Sequence, residues 1–276
     1  MITAMLQGGL GNQMLQYAFG LATAKRLNTE LVLDIDLLKN DRIRQYNLSL
    51  FSGVTERIVT GSRATVNEDG LPYNQAIVDS IKDGDVLRGY WPTEKYFEGI
   101  RQDLAARFQP KQPLPQLFTP TAEKWIRDAG ERSTFLTVRR TDYVQKQDFH
   151  GVLPIDYYNR ALREVAVHLF ADPEVFVFSD EPDWCKQNLN LDARWRVLGT
   201  YDQTTPTHLG REDVDLYLMS LCINAITANS SFSWWGAWLG EQRRRVGGSI
   251  ITAPKQWFTT TEVDSRDIVP ERWITL

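Results

Sequence analysis

The chain has 276 residues, 42% hydrophobic and 24% charged, a balance that fits one large or two medium globular domains and excludes disordered or collagen-like structure. Thirty-one Lys and Arg against 35 Asp and Glu leave a net charge of −4, which argues against a broad nucleic-acid-binding face and leaves room for a single phosphate pocket. No apolar run reaches the roughly 18 residues that a membrane-spanning helix requires, and Met1 leads into a strand-like segment without a basic stretch, so no secretory leader is expected.

Short β-branched runs alternate with amphipathic stretches of helix length, the pattern of an α/β protein with parallel sheets. The first unit reads as a strand over Ile2–Gln7, a turn Gly8-Gly9-Leu10-Gly11, a helix from Asn12 to about Leu27 and a strand over Glu30–Ile35. Met14, Leu15, Ala18, Leu21 and Ala22 share one face of that helix. A strand near Asp85–Trp91 follows, then a helix beginning after Pro92-Thr93 and ending near Phe108. Residues 110–120 hold four of the twelve prolines, too many for a helix or a central strand, and read as a linker. Beyond it a second series places strands at Thr134–Arg139, Glu174–Ser179, Arg194–Leu198, Ala225–Asn229 and Ser249–Ala253. Helices fall near Pro154–Phe170, Pro182–Leu189, Asp213–Asn224 and Phe232–Arg245. Domains of 1–120 and 121–276 would then place a ligand in a cleft between them, at the carboxyl ends of strands. The two cysteines, Cys185 and Cys222, and the histidines His150, His168 and His208 show no zinc-ligand spacing. Cys222 lies in an apolar helical stripe, where a buried thiol in a reducing compartment is expected.

Three segments carry chemistry. In Gly8-Gly9-Leu10-Gly11-Asn12-Gln13, glycines joining a strand to a helix let a ligand approach the backbone and the helix amides. The same text, Gly9-x-Gly11-x-x-Met14, has two glycines of a dinucleotide fingerprint, with Asp34 or Asp36 near the ribose-binding distance, and it also reads as a plain tight turn. Arg139 and Arg140 end an apolar strand. Adjacent residues of an extended chain point opposite ways, so one arginine should face the cleft and the other the scaffold or an acid. An arginine in a cleft suits bidentate binding of phosphate, while the plain alternative is a surface pair bonded to Asp142. Finally Asn229, Ser230, Ser231 and Ser233 crowd the start of a helix, as caps or as an anion site, with Trp234, Trp235 and Trp238 expected to pack beneath. Asp34-Ile35-Asp36 matches the DxD text of metal-dependent sugar transferases, a triplet common by chance. Asp180-Glu181 is a further acid pair at a strand end, and His150 lies in the loop after the arginines.

Together these segments resemble the family 11 glycosyltransferases, the α-1,2-fucosyltransferases. The resemblance rests on Gly8 to Gly20 (GGLGNQMLQYAFG), Arg139 to Tyr143 (RRTDY), Phe178 to Trp184 (FSDEPDW) and Asn229 to Trp238 (NSSFSWWGAW), which come in family order. It implies a GT-B-like architecture of two facing Rossmann-type domains, with GDP-fucose bound mainly by the second. It also implies inverting transfer of fucose to the 2-hydroxyl of a terminal galactoside, with GDP-fucose as co-substrate and no metal or other cofactor required. Carried over by motif, Arg139 would bind the β-phosphate, supported by Arg140 and Asp142. Ser230 and Ser231, flanked by Asn229 and Phe232, would hold the phosphates, and Asp215 would read the guanine edge. Asn12, with Gly9 and Gly11, would approach the reacting sugar. The family's arginine motif opens with His two residues before the first Arg; here that position is Thr137, so no imidazole role transfers to it.

The expected reaction is an in-line displacement in which Arg139 and helix amides stabilise the leaving diphosphate. If a general base exists, Asp142, Asp180 and His150 are the candidates. Two other classes compete: an NAD(P)-dependent oxidoreductase using the glycine turn, and a non-catalytic module binding glycan or nucleotide. The expected partners are GDP-fucose and a galactoside-terminated oligosaccharide, with no nucleic acid. The acceptor is set by first-domain loops such as 37–80, and the expected location is cytoplasmic, with peripheral membrane association where lipid-linked glycans are built.

Overall fold

The structure is a computed structural model that describes residues 1–39, 41, 43–112, 114, 119–190, 192, 194–198, 212–244 and 248–276. The chain divides into two compact units, residues 1–109 with 262–270, and residues 110–261 with 271–276.

In the first unit β1 (Ile2–Met5) leads through the glycine turn into α1 (Leu10–Arg26), β2 (Leu31–Asp34) and α2 (Asp36–Lys39). Then come β3 (Arg57–Val59), β4 (Val66–Asn67), α3 (Gln75–Ser80), β5 (Val86–Arg88) and α4 (Arg101–Arg107). The sheet is parallel throughout, in the order β3-β2-β1-β5-β4. Helix α1 lies close on this sheet because Gly20 has no side chain: a Cβ there would stand 2.8 Å from Leu31 Cδ1 and 3.0 Å from Ala4 Cβ. That close approach is the task of the third glycine in a dinucleotide fingerprint, and here it falls later in the helix than the fingerprint places it.

The second unit runs α5 (Thr119–Ala129), β6 (Ser133–Val138), α6 (Thr141–Gln145), α7 (Ile155–Leu169), β7 (Glu174–Ser179), α8 (Pro182–Asn188) and β8 (Trp195–Val197). It continues through α9 (Glu212–Leu221), β9 (Asn224–Ile226), α10 (Ser231–Gln242), β10 (Ile251–Ala253) and β11 (Ile274–Thr275). Its six parallel strands lie in the order β8-β7-β6-β9-β10-β11, the doubly wound arrangement in which the direction of winding reverses between the first and fourth strands. Strands β6 and β7 are buried on both faces, as in a doubly covered parallel sheet. Leu136, Val138, Val175 and Val177 pack there with Tyr157, Tyr158, Ala161 and Val165 of α7. Both units are therefore parallel-sheet α/β domains, consistent with a GT-B-like architecture.

Several boundaries differ from the sequence reading. The units part between Gln109 and Pro110 instead of at residue 120, and 262–270 returns to the first unit. Asp267 fixes it there, pairing with Lys95 at 2.7 Å and accepting the Tyr73 N–H at 2.9 Å. Part of the proline-rich stretch enters α5, with Pro120 in its first turn, where a missing N–H costs nothing. The helix expected up to Phe108 breaks into 3₁₀ turns at Glu94–Tyr96 and Glu98–Ile100 before α4. The strand expected to reach Asn229 ends at Ile226.

Candidate active site

In a doubly wound sheet, ligands bind outside the carboxyl ends of the strands at the point where the winding reverses. In the second unit that point lies between β6, which ends in Val138, and β9, which ends in Ile226. The chain leaves these strands as Arg139-Arg140 and as Thr227-Ala228-Asn229-Ser230. As the strands part, the backbone ladder stops and Thr137 replaces it. Its buried hydroxyl accepts the Ala228 N–H at 2.8 Å and donates to the Ile226 carbonyl at 3.4 Å. The residue standing in the family's His position is thus a pin holding the turn that leads to α10.

Arg139 is gripped by two carboxylates. Asp142 on α6 is one, and Asp180, at the end of β7, is the other at 2.8 Å from Nη1. Its guanidinium also lies 5.3 Å from the Tyr143 ring centroid. Arg140 turns the other way: its Nε bonds Glu181 Oε2 at 3.0 Å and its guanidinium sits 3.9 Å over the Trp184 ring. The neighbouring arginines therefore diverge as an extended segment demands, with Arg140 tied to scaffold. Asp180 joins the two strand ends. It also accepts the Arg140 N–H at 3.0 Å and the Thr141 hydroxyl at 2.6 Å. With three donors converging on one carboxylate, Asp180 orients the turn and Arg139.

Across from this turn, Ser230 precedes α10 without capping it through its side chain, so the helix start carries backbone N–H groups and the positive end of its dipole. Ser231 and Phe232 occupy the first two helical positions and are half-buried. Beneath them Trp234, Trp235 and Trp238 are 2%, 0% and 0% exposed. They pack edge-on and stacked against one another, which makes them core, as expected. Asn229, 3% exposed, gives its amide N–H groups to the carbonyls of His150 at 2.6 Å, Gly151 at 3.2 Å and Trp257 at 3.1 Å. The Tyr143 hydroxyl donates to the Asn229 carbonyl at 3.1 Å. So Arg139, Asp142, Asp180, Asn229 and His150 are brought together, with Tyr143 between them. Tyr143 closes the RRTDY block of the sequence, which assigns it no role of its own.

His150 stacks on Tyr143 with centroids 4.4 Å apart and planes 11° from parallel. Burial, together with the charges of Lys146 and Arg139, holds its pKa below the ordinary value, against an opposing pull from Asp142. Asp215, in the first turn of α9, is 8% exposed. Cys185 and Cys222 are free, buried thiols, and burial pushes Cys185 up to about 11.

The remaining candidates belong to the first unit. Gly8 has φ +77°, and a Cβ there would stand 2.7 Å from Asn12 Nδ2, so the turn tolerates only glycine at that place. Gly9 caps α1, its carbonyl accepting the N–H groups of Asn12 and Gln13 at 3.0 and 3.1 Å. Gly11 and Asn12 thereby fall inside the first helical turn instead of preceding it. Gln13 clamps the approaching loop, donating to Gly8 and Gln45 carbonyls and accepting the Asn47 N–H. Asp34 is 1% exposed, with its oxygens accepting the N–H groups of Asp36 and Ser62 at 2.8 and 2.7 Å. A carboxylate so engaged is not free for a ribose, which removes one of the two acids, Asp34 and Asp36, on which the oxidoreductase reading leaned. Among the described residues no group of three His, Cys, Asp or Glu side chains is placed to hold a metal ion. No described helix is long and apolar enough to cross a membrane.

The family model and the two curated relatives agree on one class of protein. An α-1,2-colitosyltransferase of Escherichia coli is 30% identical, across 100% of this chain and 98% of that one. An O-antigen biosynthesis glycosyltransferase of the same species, WbnK, is 28% identical across 98% of this chain and 99% of its own length. The crystal structure of the fucosyltransferase NodZ from Bradyrhizobium is 13% identical, over 86% of this chain and 92% of that one, with a TM-score of 0.44. The family model described as glycosyl transferase family 11 matches residues 1–276, end to end. The chain belongs to glycosyl transferase family 11 and is a glycosyltransferase.

Proposed function

We propose that the protein transfers L-fucose from GDP-β-L-fucose to the 2-hydroxyl of a terminal β-galactoside, with inversion at the anomeric carbon and without a metal. The observation that carries this reading is the placement of Arg139 and of the turn into α10 at the carboxyl ends of the neighbouring strands β6 and β9, on either side of the reversal point of the second sheet. A guanidinium and a helix N-terminus offer fixed positive charge where a diphosphate leaves. In the proposed step the acceptor hydroxyl oxygen bonds to the anomeric carbon as the carbon–oxygen bond to the β-phosphate breaks. The electron pair goes to the phosphate oxygen, and the acceptor proton leaves late, to the departing diphosphate or to water, so no dedicated base is needed. Asp180 and Asp142 keep Arg139 oriented before the donor arrives, Ser230 and Ser231 lie at the phosphates, and Asp215 reads the base. Asn12 acts at the reacting sugar, and Gly9 and Gly11 belong to the groups that bind the donor.

The 30% identical colitosyltransferase favours a second donor. Colitose is fucose without its 3-hydroxyl, and a nucleotide-linked colitose would use the same diphosphate groups. One experiment tests both: purified protein with EDTA, either donor and a panel of galactosides, read as nucleotide release. Release from GDP-fucose that requires a galactoside and ignores EDTA is the expected result. Release from the colitose donor alone would replace the sugar, and nucleotide binding without turnover would leave a binding module.

A further inference from the structure

Four rings form a continuous wall beside Arg139 and the start of α10. His150 lies flat on Tyr143, Phe149 meets His150 edge-on at 4.9 Å, and Phe258 contacts Phe149 at 4.9 Å and His150 at 6.0 Å. Two separate chain segments build this wall, and they are tied together. The Thr259 N–H donates to the Phe149 carbonyl at 2.9 Å and its hydroxyl to the Gln147 carbonyl at 3.1 Å. Asn229 then ties both segments to the turn before α10 through its three amide bonds. Gly151, at φ +69°, completes the seam, since a Cβ there would stand 2.4 Å from Thr259 Cγ2. Packing alone does not account for the wall, because Phe149 remains 44% exposed.

A second observation points to a ligand. Asn229 Oδ1 is buried with no hydrogen-bond partner, in a residue only 3% exposed. An orphaned buried acceptor is costly unless a donor meets it. A phosphate oxygen has no proton to give it, whereas a sugar hydroxyl does.

We propose that this wall binds the 6-deoxyhexose of the donor, with the apolar ring face and C6 methyl against Phe149 and Phe258 and one ring hydroxyl donating to Asn229 Oδ1. The inference rests on the donor reading above. The wall shares Tyr143 with Arg139 and Asn229 with α10, so the ring it meets is one joined directly to the diphosphate. The transferred hexose is so joined, and the base is held off by its ribose. Phe149 and Phe258 offer only carbon, which matches a position where the sugar has lost its hydroxyl.

The test compares calorimetric affinities for GDP and for GDP-fucose, without acceptor, in the wild type, Phe149→Ala, Phe149→Leu and Phe258→Ala. Phe149 is exposed enough for its variants to fold, and matching thermal transitions would verify this. The expected result is a Kd for GDP-fucose raised roughly fivefold to tenfold by the alanine changes, from ring contacts of ordinary strength, with the Kd for GDP unchanged. Equal weakening of both ligands would place the nucleoside on the wall and overturn the proposal. Unchanged affinity for both would also overturn it, including the case where only the acceptor KM rises. Failure of the wild type to bind GDP would instead remove the donor reading itself, and the wall assignment with it.

Discussion

Replacing Thr137 with valine keeps the shape of the side chain and removes its hydroxyl. The hydroxyl is the acceptor for the N–H of Ala228 at 2.8 Å, and both residues are buried. Its other bond, to the Ile226 carbonyl, is long at 3.4 Å and adds little. Leaving one buried N–H unsatisfied costs roughly 1–3 kcal/mol, and the added methyl returns up to about 0.8 kcal/mol. The net loss is on the order of 1–2 kcal/mol. For a unit of this size that lowers the Tm by roughly 2–8 °C. Thr137→Ser keeps the oxygen and serves as the control, losing only a methyl contact. Calorimetric thermal unfolding reads the transition of the second unit, and GDP affinity reads the turn, since Ala228 immediately precedes Asn229 and Ser230. The expected pattern is a lower Tm and weaker GDP binding in Thr137→Val, both largely recovered in Thr137→Ser. A valine variant that unfolds at the wild-type temperature would refute the account of Thr137 as a pin.

Arg139→Ala should lower kcat by roughly 10²–10³, the usual effect of removing one group that stabilises developing charge. It also leaves Asp142 and Asp180 without their shared cation. Arg139→Lys should fail as well, because a single ammonium cannot grip two carboxylates and a phosphate as a planar fork does; a lysine variant turning over near the wild-type rate would sink the assignment. For His150 the sign follows from its lowered pKa. The unfolded chain takes up the proton first, so this contribution to stability is complete above the ordinary histidine value near 6.5 and is lost as pH falls through the lower folded value. Tm measured from pH 8 to pH 5 should drop less in His150→Gln than in the wild type, and parallel curves would contradict it.

Sequence pattern alone determined the elements whose making is local. The strand Glu174–Ser179 has the bounds its β-branched run predicts, the glycine turn joins a strand to a helix, and the three tryptophans pack as core. The edge strands β3, β4 and β11 carry too little pattern to be read, whereas β8, as short, is legible within Arg194–Leu198. What no local pattern holds is a partner far along the chain. The motif showed Arg139 and Asp142, but only the pairing of β6 with β7 and β9 brings Asp180 onto Arg139 and Thr137 beneath Ala228. Residues 262–270 fall within the second domain expected from the sequence, 121–276, and instead join the first unit through Lys95 and Tyr73. The reason is physical: turns, periodicity and strand propensity act over a few residues, whereas the site is set by strand order, which hydrophobic burial and parallel pairing decide across the whole sheet.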